Sequence, residues 1–138
     1  MRVVDLPGTL EAAAVALWHE AGLTRPWNDP VEDLRRALDG PSSTVLAALS
    51  EQGDLLGTAM VGTDGHRGWL YYLAVRADAQ RAGTGRALVA AAEDWLRAAG
   101  APKVQLMVRH DNSLAVAFYD RLGYERADVV VLGRRLDG

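Results

Sequence analysis

Apolar residues recur along the chain with two spacings, and the switches between them mark the elements. Met1 to Asp5 predicts a short first strand, closed by Pro7. Leu10, Ala13, Ala14, Leu17 and Trp18 then repeat at helical intervals, which predicts a helix over Thr9 to Ala21. Asp29 can cap a second helix, with Pro30 at its first position and Glu32 three residues after the cap. That helix ends near Gly40. The spacing next predicts strands in "STVLAALS", "LLGTAMVGT" and "WLYYLAV", joined by the turns "EQGD" and "DGHRG". Short turns between successive strands make an antiparallel meander. A long helix follows from about Gly83 to Ala99, with Arg86, Ala90, Glu93 and Arg97 on one face and Leu88, Ala91, Ala92 and Trp95 near the other. Gly100 and Pro102 stop it. "KVQLMV" predicts the next strand, parallel to its predecessor through a right-handed crossover. "NSLAVAFYDRLG" predicts a last helix, and "YERADVVVLGRRL" a closing strand. The order β-α-α-β-β-β-α-β-α-β predicts one mixed α/β domain over residues 1–138, with helices on both faces of a mixed central sheet.

Composition narrows the function classes. The formal charge of −3 argues against nucleic acid as the main partner. Of the 15 cationic residues only Lys103 is a lysine. Arginines suit phosphates and carboxylates, though a GC-rich genome produces the same bias. The absence of cysteine excludes disulfides, thiolate nucleophiles and cysteine-ligated metals. No His/Asp/Glu group has metal-ligand spacing, and the Ser and Thr residues show no nucleophile motif. The start lacks the apolar core of a signal peptide, and the apolar runs are too short to cross a bilayer. A cytoplasmic protein with no membrane partner is expected. The apolar, arginine-flanked end "VVVLGRRL" offers a sheet edge for a homodimer.

The stretch "LAVRADAQRAGTGRALV" carries the most chemistry. A strand ends, a loop with Gly83 and Gly85 follows, and a helix begins. That order places unpaired backbone N–H groups at a positive helix end, where a phosphate binds. Arg81 and Arg86 add charge. The P-loop pattern fails, because Arg86 and Ala87 follow Gly85 where Lys and Ser or Thr are needed. The dinucleotide fingerprint fails at Leu88, where a small residue is required. On these glycines alone, a ligand-free turn explains the stretch as well as a phosphate cradle does.

The pattern as a whole separates the two. Gln80-Arg81-Ala82-Gly83-Thr84-Gly85 resembles the Q/R-x-x-G-x-G/A signature of the GNAT superfamily of acyl-CoA-dependent N-acyltransferases. "NSLAVAFYDRLGYER" is similar to the family's second signature, an Asn opening a helix that carries a Tyr, followed by Leu-Gly-aromatic. The element order also agrees, and the resemblance covers essentially the whole chain. "RPWNDP" with "DGHRG" resembles a bacterial subgroup of small single-domain GNAT proteins. The resemblance implies acetyl-CoA as the acyl donor. Its pyrophosphate would lie on the stretch from Gln80 and Arg81 through Ala82, Gly83, Thr84 and Gly85 to Arg86. Its pantetheine arm would add like a strand to the backbone of Leu73, Ala74 and Val75, where that strand splays from "KVQLMV". Tyr119 would protonate the departing thiolate, and Asn112 would cap its helix and contact the cofactor.

The implied reaction is direct attack of a primary amine, of a small molecule or a peptide, on the thioester. The amine must first lose a proton, since alkylammonium groups have pKa values of roughly 10, so a base or a water chain is wanted. Protein N-terminal acetyltransferases resembling the ribosomal-alanine type carry a Glu on the strand after the long helix. Met107 occupies that position here, which puts that branch's mechanism and substrate in doubt. Tyr72, on the bulged strand, is a candidate base or water-bridging residue. Asp64 and His66 are better explained by their Asp-Gly turn, and His110 and Asp111 as surface residues before a cap. Arg25, Trp27 and Asn28 lie between the first helices, a connection that borders the acceptor side in GNAT folds. A substrate wall and local packing explain Trp27 equally well. A different class of function also fits: a GNAT-like module that binds acyl-CoA without turnover, as a sensor or partner-binding domain.

Overall fold

The computed structural model describes residues 1–137. Residues Met1–Met107 form one compact unit, and the chain from Val108 onward forms a second. The first unit holds a five-stranded sheet in the order β1-β2-β3-β4-β5. Its strands are β1 (Arg2–Asp5), β2 (Ser43–Leu49), β3 (Leu55–Thr63), β4 (Gly68–Val75) and β5 (Val104–Leu106). The first four pair antiparallel, and β5 runs parallel to β4. The helices are α1 (Glu11–Glu20), α2 (Pro30–Asp39) and α3 (Thr84–Ala98), and α4 (Ser113–Arg121) lies in the second unit.

Two cores cover the two faces of the sheet. On one, Ala14, Leu17 and Trp18 of α1 and Leu34 and Ala37 of α2 pack with Val45, Ala47 and Leu49 of β2. On the other, Leu88, Ala92 and Leu96 of α3 pack with Leu46, Ala48, Ala59, Val61 and Leu70. β2 therefore supplies alternate residues to both faces, which is why it reads as a continuous apolar run. Burying Leu88 and Leu96 together contributes about 3–6 kcal/mol before conformational entropy is counted. Two glycines let α3 lie close to the sheet. A Cβ on Gly68 would stand 2.5 Å from Leu96, and one on Gly57 would stand 2.7 Å from the Ala74 carbonyl oxygen and 2.9 Å from Leu88.

Helix ends follow the sequence chemistry. The Asp29 carboxylate accepts from the N–H groups of Val31 and Glu32, and Pro30 opens α2. Asn112 caps α4 by accepting from Ala115 N–H.

The predicted closing strand is not formed. From Tyr124 to Asp137 the described residues adopt no strand or helix, and Val130 and Leu132 are more than four-fifths exposed. The second unit contains the helix α4 and no strand among its described residues, so the Val129–Leu132 run has no ladder partner within that unit. Its high β-propensity does not form a strand alone.

Candidate functional site

The site begins with a break in the ladder between β3 and β4. Thr58 pairs with Ala74 and Met60 pairs with Tyr71, so Tyr72 and Leu73 together oppose Ala59. The extra residue is a β-bulge. Tyr72 takes it up with φ of 48°, a left-handed conformation that is costly for a bulky side chain.

The surroundings hold Tyr72 at several points. Its ring stacks on Trp18, with centroids 4.0 Å apart and planes 17° off parallel. Its carbonyl, which the bulge takes out of the regular ladder, accepts from the Thr58 hydroxyl at 3.0 Å. Thr58 is wholly buried and accepts in turn from Trp18 Nε1 at 2.8 Å. The Tyr72 hydroxyl donates to Asp33 Oδ2 at 2.7 Å. Burial, followed by this hydrogen bond and the Asp33 charge, pushes the phenol well above its ordinary pKa.

Beyond the bulge no strand among the described residues pairs with the outer edge of β4. β5 matches β4 only from Gly68 to Leu70, and β4 runs on to Val75. The backbone of Leu73, Ala74 and Val75 lies in this stretch. A turn of 3-10 helix (Ala77–Ala79) leads from the strand end to α3, and the Gln80 side chain donates back to the Val75 carbonyl. Arg81 has φ of 65° and Gly83 φ of 84°. Left-handed residues within a short turn gather backbone N–H groups into an anion-binding concavity. Gly83 caps α3 with no side-chain hydrogen bond, so the N–H groups at that helix start have no side-chain cap. Thr84 is buried, its hydroxyl turned away to the Ala79 carbonyl. Gln80, Arg81, Ala82 and Arg86 are exposed, and Gly85 is half-buried. Among the described residues neither Arg81 nor Arg86 forms an ion pair. This cationic, N–H-rich turn at the end of β4 could hold a pyrophosphate.

The segment between α1 and α2 folds on itself. Arg25 donates to the carbonyls of Gly22 and Thr24, and Asn28 N–H donates to the Arg25 carbonyl. Trp27 is 59% exposed, so it is not the lid of a core; Trp18 fills that core instead. Asp64 forms the expected turn, accepting from the N–H groups of His66 and Arg67 and from Trp69 Nε1. These bonds hold its carboxyl down at about 2. In the second unit Tyr119 lies edge-on to Phe118 and Tyr124, and burial pushes its hydroxyl up to about 12. Met107 follows the end of β5 and is half exposed.

Sequence reasoning passed over Asp33, Thr58 and Trp18 as site residues. Asp33 carries no motif in its helix, and Trp18 reads as part of an apolar stripe. Only Thr58, a polar residue in the interior of a strand with apolar neighbours, left a signal.

The model of the acetyltransferase (GNAT) family matches residues 12–124. The chain belongs to the GNAT acetyltransferase family. A curated acetyltransferase of Pectobacterium atrosepticum is 43% identical over 124 residues, covering 90% of this chain and 87% of the relative. The fold is shared with more distant solved structures. An aminoglycoside N-acetyltransferase, AAC(6')-Iy, solved in complex with CoA, superposes with a TM-score of 0.83 at 17% identity, covering 98% of this chain and 94% of that one. The aminoglycoside 6'-N-acetyltransferase AAC(6')-IG of Acinetobacter haemolyticus gives 0.74 at 17% identity, covering 99% of this chain and 100% of that one. At these identities the likeness shows the fold of this GNAT protein; its chemistry must be argued from its own residues.

Proposed function

We propose that this GNAT protein transfers the acetyl group of acetyl-CoA to a primary amine. The observation that carries the proposal is the open edge of β4 at the Tyr72 bulge, followed directly by the left-handed turn into α3. Acetyl-CoA would supply an activated thioester carbonyl. The N–H and C=O groups of Leu73, Ala74 and Val75 would hold the pantetheine amides and fix the thioester beside Tyr72. The turn from Gln80 to Arg86 would hold the pyrophosphate, with Arg81 and Arg86 adding charge. Asn112, besides capping α4, would contact the cofactor. Tyr119 stays protonated far above neutral pH, as a residue that protonates the leaving thiolate must.

Arg25, Trp27 and Asn28 would form the acceptor side. An exposed Trp27 supports that role better than it supports packing. The names of the structural neighbours, aminoglycoside N-acetyltransferases, support a small-molecule amine as acceptor. The family match runs through both compact units, which supports one catalytic domain over residues 1–138. The same reading includes a cytoplasmic location, and among the described residues no helix is long and apolar enough to cross a membrane. It also includes a homodimer through the exposed Val129–Leu132 run, which Val130→Asp should convert to monomer in sedimentation.

The test is release of free thiol from acetyl-CoA in the presence of amines and peptides. Amine-dependent release supports the proposal. CoA-induced thermal stabilisation without release across the panel would favour a non-catalytic acyl-CoA sensor. No stabilisation at saturating CoA would overturn both.

A further inference from the structure

Tyr72 is held more firmly than a strand residue needs to be. The bulge makes it the extra residue of β4, the Trp18 ring fixes its plane, and Thr58 ties its carbonyl. None of these contacts sets the direction of the hydroxyl proton. Asp33 does, from the first turn of α2, by accepting that proton at 2.7 Å. The other oxygen of Asp33 is occupied by Arg36 Nη2 at 3.0 Å, so the carboxylate is itself held from two sides.

A phenol has one proton to donate and lone pairs with which to accept. With its proton committed to Asp33, the Tyr72 oxygen can only accept. A bond to a charged acceptor also polarises the phenol and strengthens its lone pairs. Tyr72 immediately precedes the open edge Leu73–Val75, and α2 immediately follows the turn that carries Arg25, Trp27 and Asn28. The Asp33–Tyr72 bond therefore ties the donor strand to the helix bordering the proposed acceptor turn.

We propose that Asp33 is a positioning residue: by taking the Tyr72 hydroxyl proton, it presents the phenol oxygen to the incoming amine as an oriented hydrogen-bond acceptor. The amine, or the water that carries its proton away, donates an N–H or O–H to Tyr72 and is aligned on the thioester carbonyl. Tyr72 remains a neutral phenol throughout. Acceptors with a proton to give are selected by this arrangement, and a group that could only accept would meet lone pairs. The proposal rests on the acetyl-transfer reading for its substrate, and on this chain's own hydrogen bonds for its geometry.

A double-mutant cycle tests it. Asp33→Ala and Tyr72→Phe should each lower kcat/KM for the amine about tenfold, the low end for a hydrogen bond to a charged group. The loss should appear in the amine KM and in kcat, with the thermal shift induced by CoA unchanged. The double variant should lose no more than either single one, because both remove the same interaction. Asp33→Asn, whose carboxamide oxygen can still accept, should recover part of the activity. Additive losses would overturn the proposal, as would variants that lose CoA stabilisation while the amine KM stays constant. A second measurement needs no substrate. Tyrosine ionisation, followed in the near ultraviolet, should show one of the four tyrosines titrating at lower pH in Asp33→Ala than in the parent. An unchanged titration would remove the orienting bond. Absence of amine-dependent thiol release in the parent would sink acetyl transfer, and the titration would still decide the Asp33–Tyr72 pair.

Discussion

Thr58→Val isolates the hydrogen-bonding part of the bulge from its packing. Valine has nearly the shape of threonine, so the substitution opens no cavity and adds no bulk. It removes the hydroxyl that accepts from Trp18 Nε1 and donates to the Tyr72 carbonyl. Both Thr58 and Trp18 have no solvent exposure, so water cannot replace the lost partner at the indole. An unsatisfied buried donor costs about 1–3 kcal/mol, and the partly buried carbonyl adds to it, giving about 2–4 kcal/mol in all. Urea unfolding measures this. With an m-value of about 1.5 kcal/mol/M, a loss of about 3 kcal/mol lowers the midpoint by about 2 M at unchanged slope. Thr58→Ser is the control: it keeps the hydroxyl and loses one methyl, a cost of about 1 kcal/mol. The order expected is parent, then serine, then valine. A valine variant as stable as the serine variant would refute the reasoning, because packing would then outweigh the hydroxyl.

Other perturbations probe the rest of the site. Trp27→Ala should change stability by less than about 0.5 kcal/mol, as an exposed side chain does, while raising the acceptor KM; a large drop in unfolding midpoint would restore a packing role. Tyr119→Phe should lower kcat and preserve CoA-induced stabilisation, and equal loss of both would make Tyr119 a binding residue. Gly57→Ala should cost about 1–3 kcal/mol by overpacking against Leu88 and the Ala74 carbonyl, and a neutral melting temperature would show that α3 can retreat freely. Asp64 has a folded pKa of about 2, below the roughly 3.9 of an unfolded aspartate. Its contribution to stability is complete above the unfolded value and is lost as the pH falls through the folded one. Carboxyl titration by NMR checks this, and an Asp64 midpoint near 4 would contradict the turn geometry.

Local chemistry made much of the fold legible. Asp29-Pro30 announces the start of α2, Gly100 with Pro102 closes α3, and the turn residues around "LLGTAMVGT" bound β3 to the residue. These signals act within a few positions of the structure they specify. The closing strand was misread because β-propensity describes what a segment can do when a ladder is available, and the Val129–Leu132 run has none within its unit. The glycine turn was visible as a motif, but its left-handed Arg81 was not, since arginine has no preference for that conformation. The tether from Asp33 to Tyr72 spans 39 residues, and Trp18 to Thr58 spans 40. No periodicity reports on pairs so far apart. Of the residues that shape the bulge, only Thr58 stands out on its own segment, and only tertiary structure brings it together with Trp18, Tyr72 and Asp33.

The extra residue in β4 also makes that strand readable in two frames. Before it, Leu70 joins the core under α3; after it, Tyr72 and Ala74 join the core under α1 and α2, while Leu73 and Val75 join the α3 side. Strict alternation from Leu70 would have put Tyr72 and Ala74 under α3. Deleting one member of the Tyr71-Tyr72 pair would close the bulge and leave Leu73, Ala74 and Val75 on their present faces, whereas pairing the full-length strand without a bulge would send all three to the opposite face. What the extra residue contributes to the strand is therefore the Tyr72 side chain itself, with its contacts to Trp18 and Asp33.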